Sequence, residues 1–201
     1  MAIELKEEAF EFKKSRLLDV ASELFFRNGF ARTTLDDIAA ELSVTKPFIY
    51  QFVENKADLL SQVCLRTTAL AAEHARIALG QDDQPTVRLA HFVRSLVHEI
   101  IAGRMYLAVY FREEKHLPEP SRKKLAEDHR RFNQALRSLL DEGKQQDEFV
   151  FGDSVVAMQA ITGATTWIFN WYRPEERLDA DEVARQFEDF VLRAVGAKLT
   201  S

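Results

Sequence analysis

Few folds accommodate residues Thr33–Lys56, TTLDDIAAELSVTKPFIYQFVENK. The stretch reads as two very short helices separated by a turn. Thr34 has the chemistry of an N-cap, and Asp37, three residues on, is placed to reach back as in a capping box. Ile38, Ala39 and Leu42 supply one apolar face, Ser43-Val44 breaks the period, and Thr45 is a second N-cap. Pro47 follows in the first turn, where a missing N–H costs little. Ile49 and Phe52, three apart, face inward. Thr45, Lys46, Phe48, Tyr50 and Gln51 are left with no core to join. A helix this short is not stable alone in water. Hydroxyls, an amide and a lysine presented outward suit a DNA groove better than an apolar interior. Two helices joined by a tight turn, the second exposed, form the helix-turn-helix arrangement. On spacing alone, an ordinary helical hairpin with solvated polar residues remains the competing reading.

Composition limits what surrounds this stretch. A chain of 201 residues suffices for one large domain or two small ones. Its 46% apolar and 29% charged content is that of a soluble globular protein. No run approaches the roughly 18 apolar residues of a membrane span, and no basic segment followed by an apolar run marks a signal peptide. Cys64, the single cysteine, excludes an internal disulfide and fits a reducing cytoplasm, the expected location. Net charge is −5, and Met1–Lys56 carries 8 Lys/Arg against 10 Asp/Glu, while residues 42–53 contain Lys46 and no acid. A head charged in this way should bind nonspecific DNA weakly and depend on site-specific contacts.

The remaining chain is periodic at helical spacing throughout. Residues 1–9 are charged and expected to fray. A helix follows from about Phe10 to Asn28, with Leu17, Ala21, Leu24 and Phe25 inward, and Gly29 suits a left-handed residue after its end. Asn55 caps the next helix, with Asp58 three on and Leu59, Leu60, Val63 and Leu70 as its stripe. Lys56 opposes that helix's dipole, which a nearby phosphate would compensate. Gly80–Pro85 is the clearest break. From Pro85, Leu89, Val93, Leu96, Val97 and Ile100 share a face that ends at Gly103. Arg104–Glu114 carries Met105, Leu107, Tyr110 and Phe111. Leu117–Pro120 opens a long helix with Leu125, His129, Phe132, Leu136, Leu139 and Leu140 in register, ended by Gly143 and the polar run after it. Ser154–Tyr172 has almost no polar face, so it should be buried nearly all round, with a second subunit as the natural other wall. Pro174 stops it, Asp179 and Glu182 form another capping pair, and Val183, Phe187, Phe190, Val191 and Ala194 stripe the last helix. Period-two alternation never persists. The expected fold is all-α, about nine helices, with a three-helix helix-turn-helix domain at 1–56 and a helical effector-binding and dimerisation domain at 57–201.

With these residues in place, the chain resembles TetR-family transcriptional regulators. The resemblance rests on Phe25, Gly29-Phe30, Thr33-Thr34, Ile38-Ala39, Val44-Thr45-Lys46, Ile49-Tyr50, Phe52, Lys56 and Leu59-Leu60 across about residues 10–60. Pro47 stands where glycine is commoner, removing a backbone donor near the phosphates, and Val53 stands where a polar residue is usual. The resemblance implies a repressor that binds operator DNA as a homodimer and leaves it when a small hydrophobic effector binds. It places Thr34, Thr45, Lys46, Tyr50 and Lys56 on phosphates, and Pro47, Phe48 and Gln51 at base edges or thymine methyls. It implies an effector cavity lined by Phe92, Leu96, Met105, Tyr110, Phe111, Phe132, Trp167 and Trp171. The run GATTWIFNWYRPEERLDAD (163–181) resembles the acyl-CoA-responsive branch of fatty-acid and sterol catabolism, with Arg173, Arg177, Arg130 and Arg131 as candidates for the CoA phosphates.

Other chemistry finds little footing. His91 and His98 lie seven apart on one helix face, with His129 a candidate third neighbour, but lone helical histidines usually serve as polar fillers rather than metal ligands. Neither a metal nor a cofactor is expected. Cys64 has no activating base nearby in sequence, and no glycine-rich phosphate loop, nucleophile elbow or zinc-protease pair occurs, so no enzyme is expected. The rival reading is a helical small-molecule-binding or protein-interaction module without DNA activity, which the acidic head favours.

Overall fold

The computed structural model describes residues 2–79, 83–175 and 177–198. Among them every regular element is helical: α1 (Ala2–Asn28), α2 (Leu35–Glu41), α3 (Lys46–Ile49), α4 (Lys56–Leu79), α5 (Pro85–Ala102), α6 (Arg104–Glu113), a 3-10 turn (Glu114–His116), α7 (Glu119–Gln145), α8 (Ser154–Thr166), α9 (Ile168–Trp171) and α10 (Ala180–Ala194). The expected break at Gly80–Pro85 lies partly outside the described residues, as does the side chain of Leu70; the flanking helices end at Leu79 and begin at Pro85. None of the described helices is long and apolar enough to cross a membrane.

The chain divides into two compact units, Met1–Thr67 with Met105–Lys124, and Thr68–Arg104 with Leu125–Ser201. In the first, Leu17, Ala21 and Phe25 of α1 and Ile38 of α2 are fully buried, as are Ile49 of α3 and Leu59, Leu60 and Val63 of α4. Contrary to the expected fraying, α1 starts at Ala2 and runs unbroken. Gly29 ends it at φ +83, with its N–H donating to Phe25 O at 2.9 Å.

In the second unit α10 packs along α5, which also meets α8 and α9. Gly103 closes α5 as expected, its N–H donating to Glu99 O at 2.8 Å. Gly143 does not end α7, which continues to Gln145. The missing Cβ is needed because the ring of Phe149 lies where that atom would be, and the left-handed turn falls later, at Asp147 (φ +56). The apolar 154–172 segment is likewise two helices, broken at Trp167. It is not buried all round within one chain: Val155, Val156, Trp167 and Trp171 are exposed, together with Phe190 of α10.

Candidate nucleic-acid interface

The α2–turn–α3 segment is built from local hydrogen bonds. Thr34 Oγ1 accepts from Asp37 N at 3.1 Å, and Thr34 N donates to Asp37 Oδ2 at 2.8 Å, completing the capping box. Those bonds from the Thr34 backbone and hydroxyl hold the Asp37 carboxyl below its ordinary range. At the other end Ser43 adopts φ +54, while Ser43 N donates to Ala40 O (3.0 Å) and Val44 N to Ala39 O (2.9 Å). This is a Schellman closure with serine in glycine's usual place, and it sets the angle at which α3 leaves.

α3 is four residues long. Thr45 has extended cap geometry (φ −90, ψ 153), but its side chain makes no capping hydrogen bond. The N–H of N2 is absent because that residue is Pro47, and Phe48 N donates to Thr45 O instead. The Thr45 hydroxyl is therefore not committed to the helix it opens. Ile49 is fully buried, whereas Thr45, Pro47, Tyr50 (50% exposed) and Gln51 face outward.

Phe48 and Phe52 depart from expectation. Phe48 is half-buried, 5.2 Å from the Phe52 ring, which lies 4.8 Å from Phe10 of α1. The inward partner of Ile49 is Val53, at 4% exposure, whose N–H donates to Ile49 O. Position 53 thus belongs to the core and Phe52 to an aromatic row beneath α3. Gln62 of α4, which no sequence motif marked, donates to Phe52 O at 3.0 Å and pins the end of that turn.

Two expected phosphate ligands are already engaged. Lys46 Nζ lies 2.8 Å from Asp36 Oδ2, and that hydrogen bond and charge raise the lysine's pKa. Lys56 Nζ donates to Phe30 O and Thr33 O, both at 2.9 Å, and sits 4.4 Å from the Phe30 ring centroid. The compensation that the sequence assigned to a phosphate comes from these carbonyls. Asn55 caps α4 as expected, accepting from Asp58 N at 3.0 Å, while the Asp58 carboxylate reaches Glu54 N rather than Asn55 N.

The same unit holds two clusters invisible to sequence reasoning. Glu113, 6% exposed, accepts from Phe30 N (3.1 Å) and Arg112 Nε (3.0 Å) and faces His116 Nδ1 (3.1 Å). Burial pushes its carboxyl up, but the Phe30, Arg112 and His116 contacts together outweigh burial and leave the pKa lowered. Arg112 also donates to Phe25 O and Phe26 O, the last carbonyls of α1. Tyr106 Oη donates to Asp19 Oδ1 at 2.6 Å and accepts from Arg66 Nη1 at 2.9 Å, joining α6, α1 and α4. Burial, then the Asp19 bond, pushes the phenol well above its ordinary value.

The expected effector residues are divided between the units: Met105, Tyr110 and Phe111 fall in the first, the others in the second. In the second unit Phe92 and Leu96 are buried, and Phe92 lies 5.6 Å from Phe132. Trp167 is 58% exposed, and the exposed Trp171 stacks on Phe187 at 6.4 Å, so both tryptophans lie on the outward apolar face. An open cleft of about 280 Å³ in this unit is lined by Arg94, His98, Asp179, Asp181, Glu182 and Arg185, none of them an expected effector residue. Its polar side chains are partnered, Arg94 with Glu188 beside the cleft, Arg185 with Glu182, and His98 Nε2 with Asp181 Oδ1 at 3.3 Å, and such a lining does not suit an apolar ligand. Asp179 caps α10 by accepting from Glu182 N, while the Glu182 side chain turns to Arg185 and Gln186.

A capped α2, a Schellman turn and a stub of helix exposing Thr45, Tyr50 and Gln51 define a helix-turn-helix DNA-binding protein. Comparison with known proteins agrees. Residues 17–63 match the bacterial regulatory proteins of the tetR family, and residues 82–195 match the tetracyclin repressor-like C-terminal domain. The chain is 31% identical over 209 residues to the probable acrEF/envCD operon repressor of Escherichia coli (strain K12), covering 96% of this chain and 90% of that one. It is 26% identical over 184 residues to the HTH-type transcriptional repressor KstR2 of Rhodococcus jostii (strain RHA1), covering 90% and 89%. Its fold superposes on AibR, solved in complex with isovaleryl coenzyme A and operator DNA, with a TM-score of 0.77 at 21% identity over 92% of this chain and 99% of that one. The chain belongs to the TetR family. Members of that family are DNA-binding transcriptional regulators and not enzymes, and this chain is one of them.

Proposed function

We propose that the protein is a cytoplasmic repressor in which residues 1–56 read the operator and residues 57–201 bind effector and dimerise. The exposed face of Thr34, Thr45, Lys46, Pro47, Tyr50 and Gln51 enters the major groove, with the hydroxyls and Lys46 on phosphates and Pro47 and Gln51 at base edges. Phe48 contributes its exposed edge to the same readout. The observation that carries this reading is the uncommitted Thr45 hydroxyl beside exposed Tyr50 and Gln51, on a helix whose inward Ile49 is fully buried. Lys56 stands one step behind the contact surface and braces the turn. The apolar face of Val155, Val156, Trp167, Trp171 and Phe190 is the wall for the second subunit, and two heads then meet half-sites about 34–36 Å apart or a multiple of that.

For the effector, the fold likeness to AibR and the WIFNWYRP run support an acyl-CoA thioester, its acyl part against Phe92, Leu96 and Phe132. Arg130, Arg131, Arg173 and Arg177 are candidates for its phosphates, although Arg173 already donates to Asn170 O and Tyr172 O. Binding stabilises a conformer whose two recognition helices no longer match the half-sites, with coupling of about 1–3 kcal/mol.

Gel shifts with duplex from the gene's own upstream region, run across salt concentrations and with added isovaleryl-CoA, test both parts. The expected result is sequence-selective retardation, lost for Tyr50→Ala with the dimer intact, and relieved by the thioester. Absence of sequence preference would favour a helical binding module without DNA activity, which the acidic head motivates. Native mass spectrometry of the purified dimer should reveal a co-purified thioester, and retardation that no thioester relieves would overturn the effector assignment alone.

A further inference from the structure

Tyr50 and Gln51, two of the outward residues proposed to read DNA, lie just past the last helical residue of α3. On their N-terminal side they follow Ile49, which is fully buried. Their own backbone bonds are short-range: Tyr50 N donates to Lys46 O at 3.3 Å and Gln51 N to Phe48 O at 3.2 Å. A four-residue helix does not hold its shape by such bonds alone, so the pose of these two residues depends on what fixes the chain after them. That anchor comes from α4. Gln62 Nε2 donates to Phe52 O at 3.0 Å, while Asp58 Oδ2 accepts from Glu54 N at 2.9 Å and from Gln62 Nε2 at 3.3 Å. The two peptide groups flanking buried Val53 are thus both held by one helix. From α1, the Phe10 ring steadies the Phe52 ring at 4.8 Å.

The Gln62 amide is satisfied at one end: its Oε1 is buried and meets no donor among the described residues. A buried acceptor without a donor costs stability and offsets what the Nε2 bonds contribute to folding. We infer that Gln62 is a positioning residue for operator recognition: by holding Phe52 O it sets Tyr50 and Gln51 in one pose before DNA arrives. This role presupposes the DNA-reading face proposed above. A pose fixed at folding does not have to be ordered again on binding. Without the Gln62 bond the turn samples other poses, and the apparent dissociation constant rises by the inverse of the fraction still competent. That penalty falls on the specific complex, whose base contacts need the one pose. A nonspecific complex, held through phosphates, tolerates several. Gln62 therefore adds selectivity.

The test uses the full-length protein and two probes: a duplex enriched by the wild-type protein from a random-sequence library, and a scrambled duplex of equal length. Gln62→Met keeps the length of the side chain and removes the amide. Affinity for the enriched duplex should fall by up to about tenfold per protomer, or about 100-fold with both half-sites engaged, the ceiling being the net strength of one hydrogen bond. The scrambled duplex should bind within about twofold of wild type, and the log–log salt slope should stay unchanged on both probes, since no phosphate contact is lost. The urea midpoint at fixed protein concentration should hold or rise, which a residue that only packs the head would not allow. Enrichment repeated with the variant should return the same half-site spacing with weaker base preference. Unchanged affinity for the enriched duplex, an equal loss on both probes, a shallower slope, or a midpoint that falls along with affinity overturns the role of Gln62 and leaves the reading face intact. Failure of the wild-type protein to enrich any duplex overturns the reading face itself, and the role of Gln62 with it.

Discussion

Gly143→Ala offers a direct test of how the second unit is held together. A Cβ on Gly143 would lie 2.8 Å from Phe149 Cγ and closer still to Cδ2 and Cε2 of the same ring. The ring is 3% exposed and cannot simply swing away, because Glu148 N (2.9 Å) and Phe149 N (3.1 Å) both donate to Gly143 O. Expelling a buried phenyl costs about 3–5 kcal/mol, and alanine's advantage over glycine in a helix offsets about 1 kcal/mol of it. The substitution should therefore destabilise by about 2–4 kcal/mol, read as a shift of the urea midpoint at fixed dimer concentration. The sign should invert once the ring is gone: in a Phe149→Ala background, Gly143→Ala should stabilise by about 0.5–1 kcal/mol. Such non-additivity follows only if the two residues share one space. A Gly143→Ala protein within about 0.5 kcal/mol of wild type, or equal destabilisation in both backgrounds, would refute the notch.

Three further outcomes follow from the first unit. Ser43→Gly should raise the thermal midpoint by relieving the left-handed serine at the helix-turn-helix corner, by about 0.5–1 kcal/mol, and an unchanged or lower midpoint would count against strain there. Glu113 has a folded pKa below its ordinary 4.5, so its stabilisation is complete above that value and is lost as pH falls through the folded pKa. Glu113→Gln should flatten the fall in stability below pH 4.5, and an acid limb identical to wild type would remove the carboxylate from that account. Burial, then Glu113 and Glu114, pushes the Cys64 thiol up to about 12, so iodoacetamide at pH 8 should label it only after unfolding in urea; rapid labelling of the native dimer, read by mass, would contradict this.

Much of the fold was legible because its signals are local. Thr34 with Asp37, Asn55 with Asp58, and Gly29 after α1 announce helix ends within three or four residues of themselves. The phase of α3 was not legible. A four-residue helix has too few positions to fix its period, and taking Phe52 rather than Val53 as the mate of Ile49 chose i+3 where the structure uses i+4. Gly143 misled because helix propensity disfavours glycine, whereas the demand there is tertiary and set by Phe149. Nothing in 154–172 announced the break at Trp167, since neither proline nor glycine marks it. At the candidate site, the outward residues of α3 could be read from what the core left over. The partners of Lys46, Lys56 and Glu113 could not, because they lie 10, 26 and 83 positions away.

The placement of cations explains why a charge count misjudges a head of this kind. Lys56 and Arg112 donate to carbonyls of Phe30, Thr33, Phe25 and Phe26, at the end of α1 and the turn after it. Phe25 and Phe26 lie in the last turn of α1, at the negative end of its dipole, and Phe30 and Thr33 in the turn after it, so a cation among these carbonyls completes the fold. A base used in this way releases no counterions from DNA and adds nothing to the salt dependence of binding. Lys46, held only by an exposed carboxylate, remains exchangeable. The two lysines should therefore separate in one experiment. Lys46→Gln should make the salt dependence shallower by about 0.9 per protomer, the loss of one phosphate contact. Lys56→Gln should lower the thermal midpoint, because Phe30 O and Thr33 O lose their donor, and should leave the slope where it was. A shallower slope for Lys56→Gln at unchanged stability would place that ammonium on phosphate and show that the brace opens when the head docks.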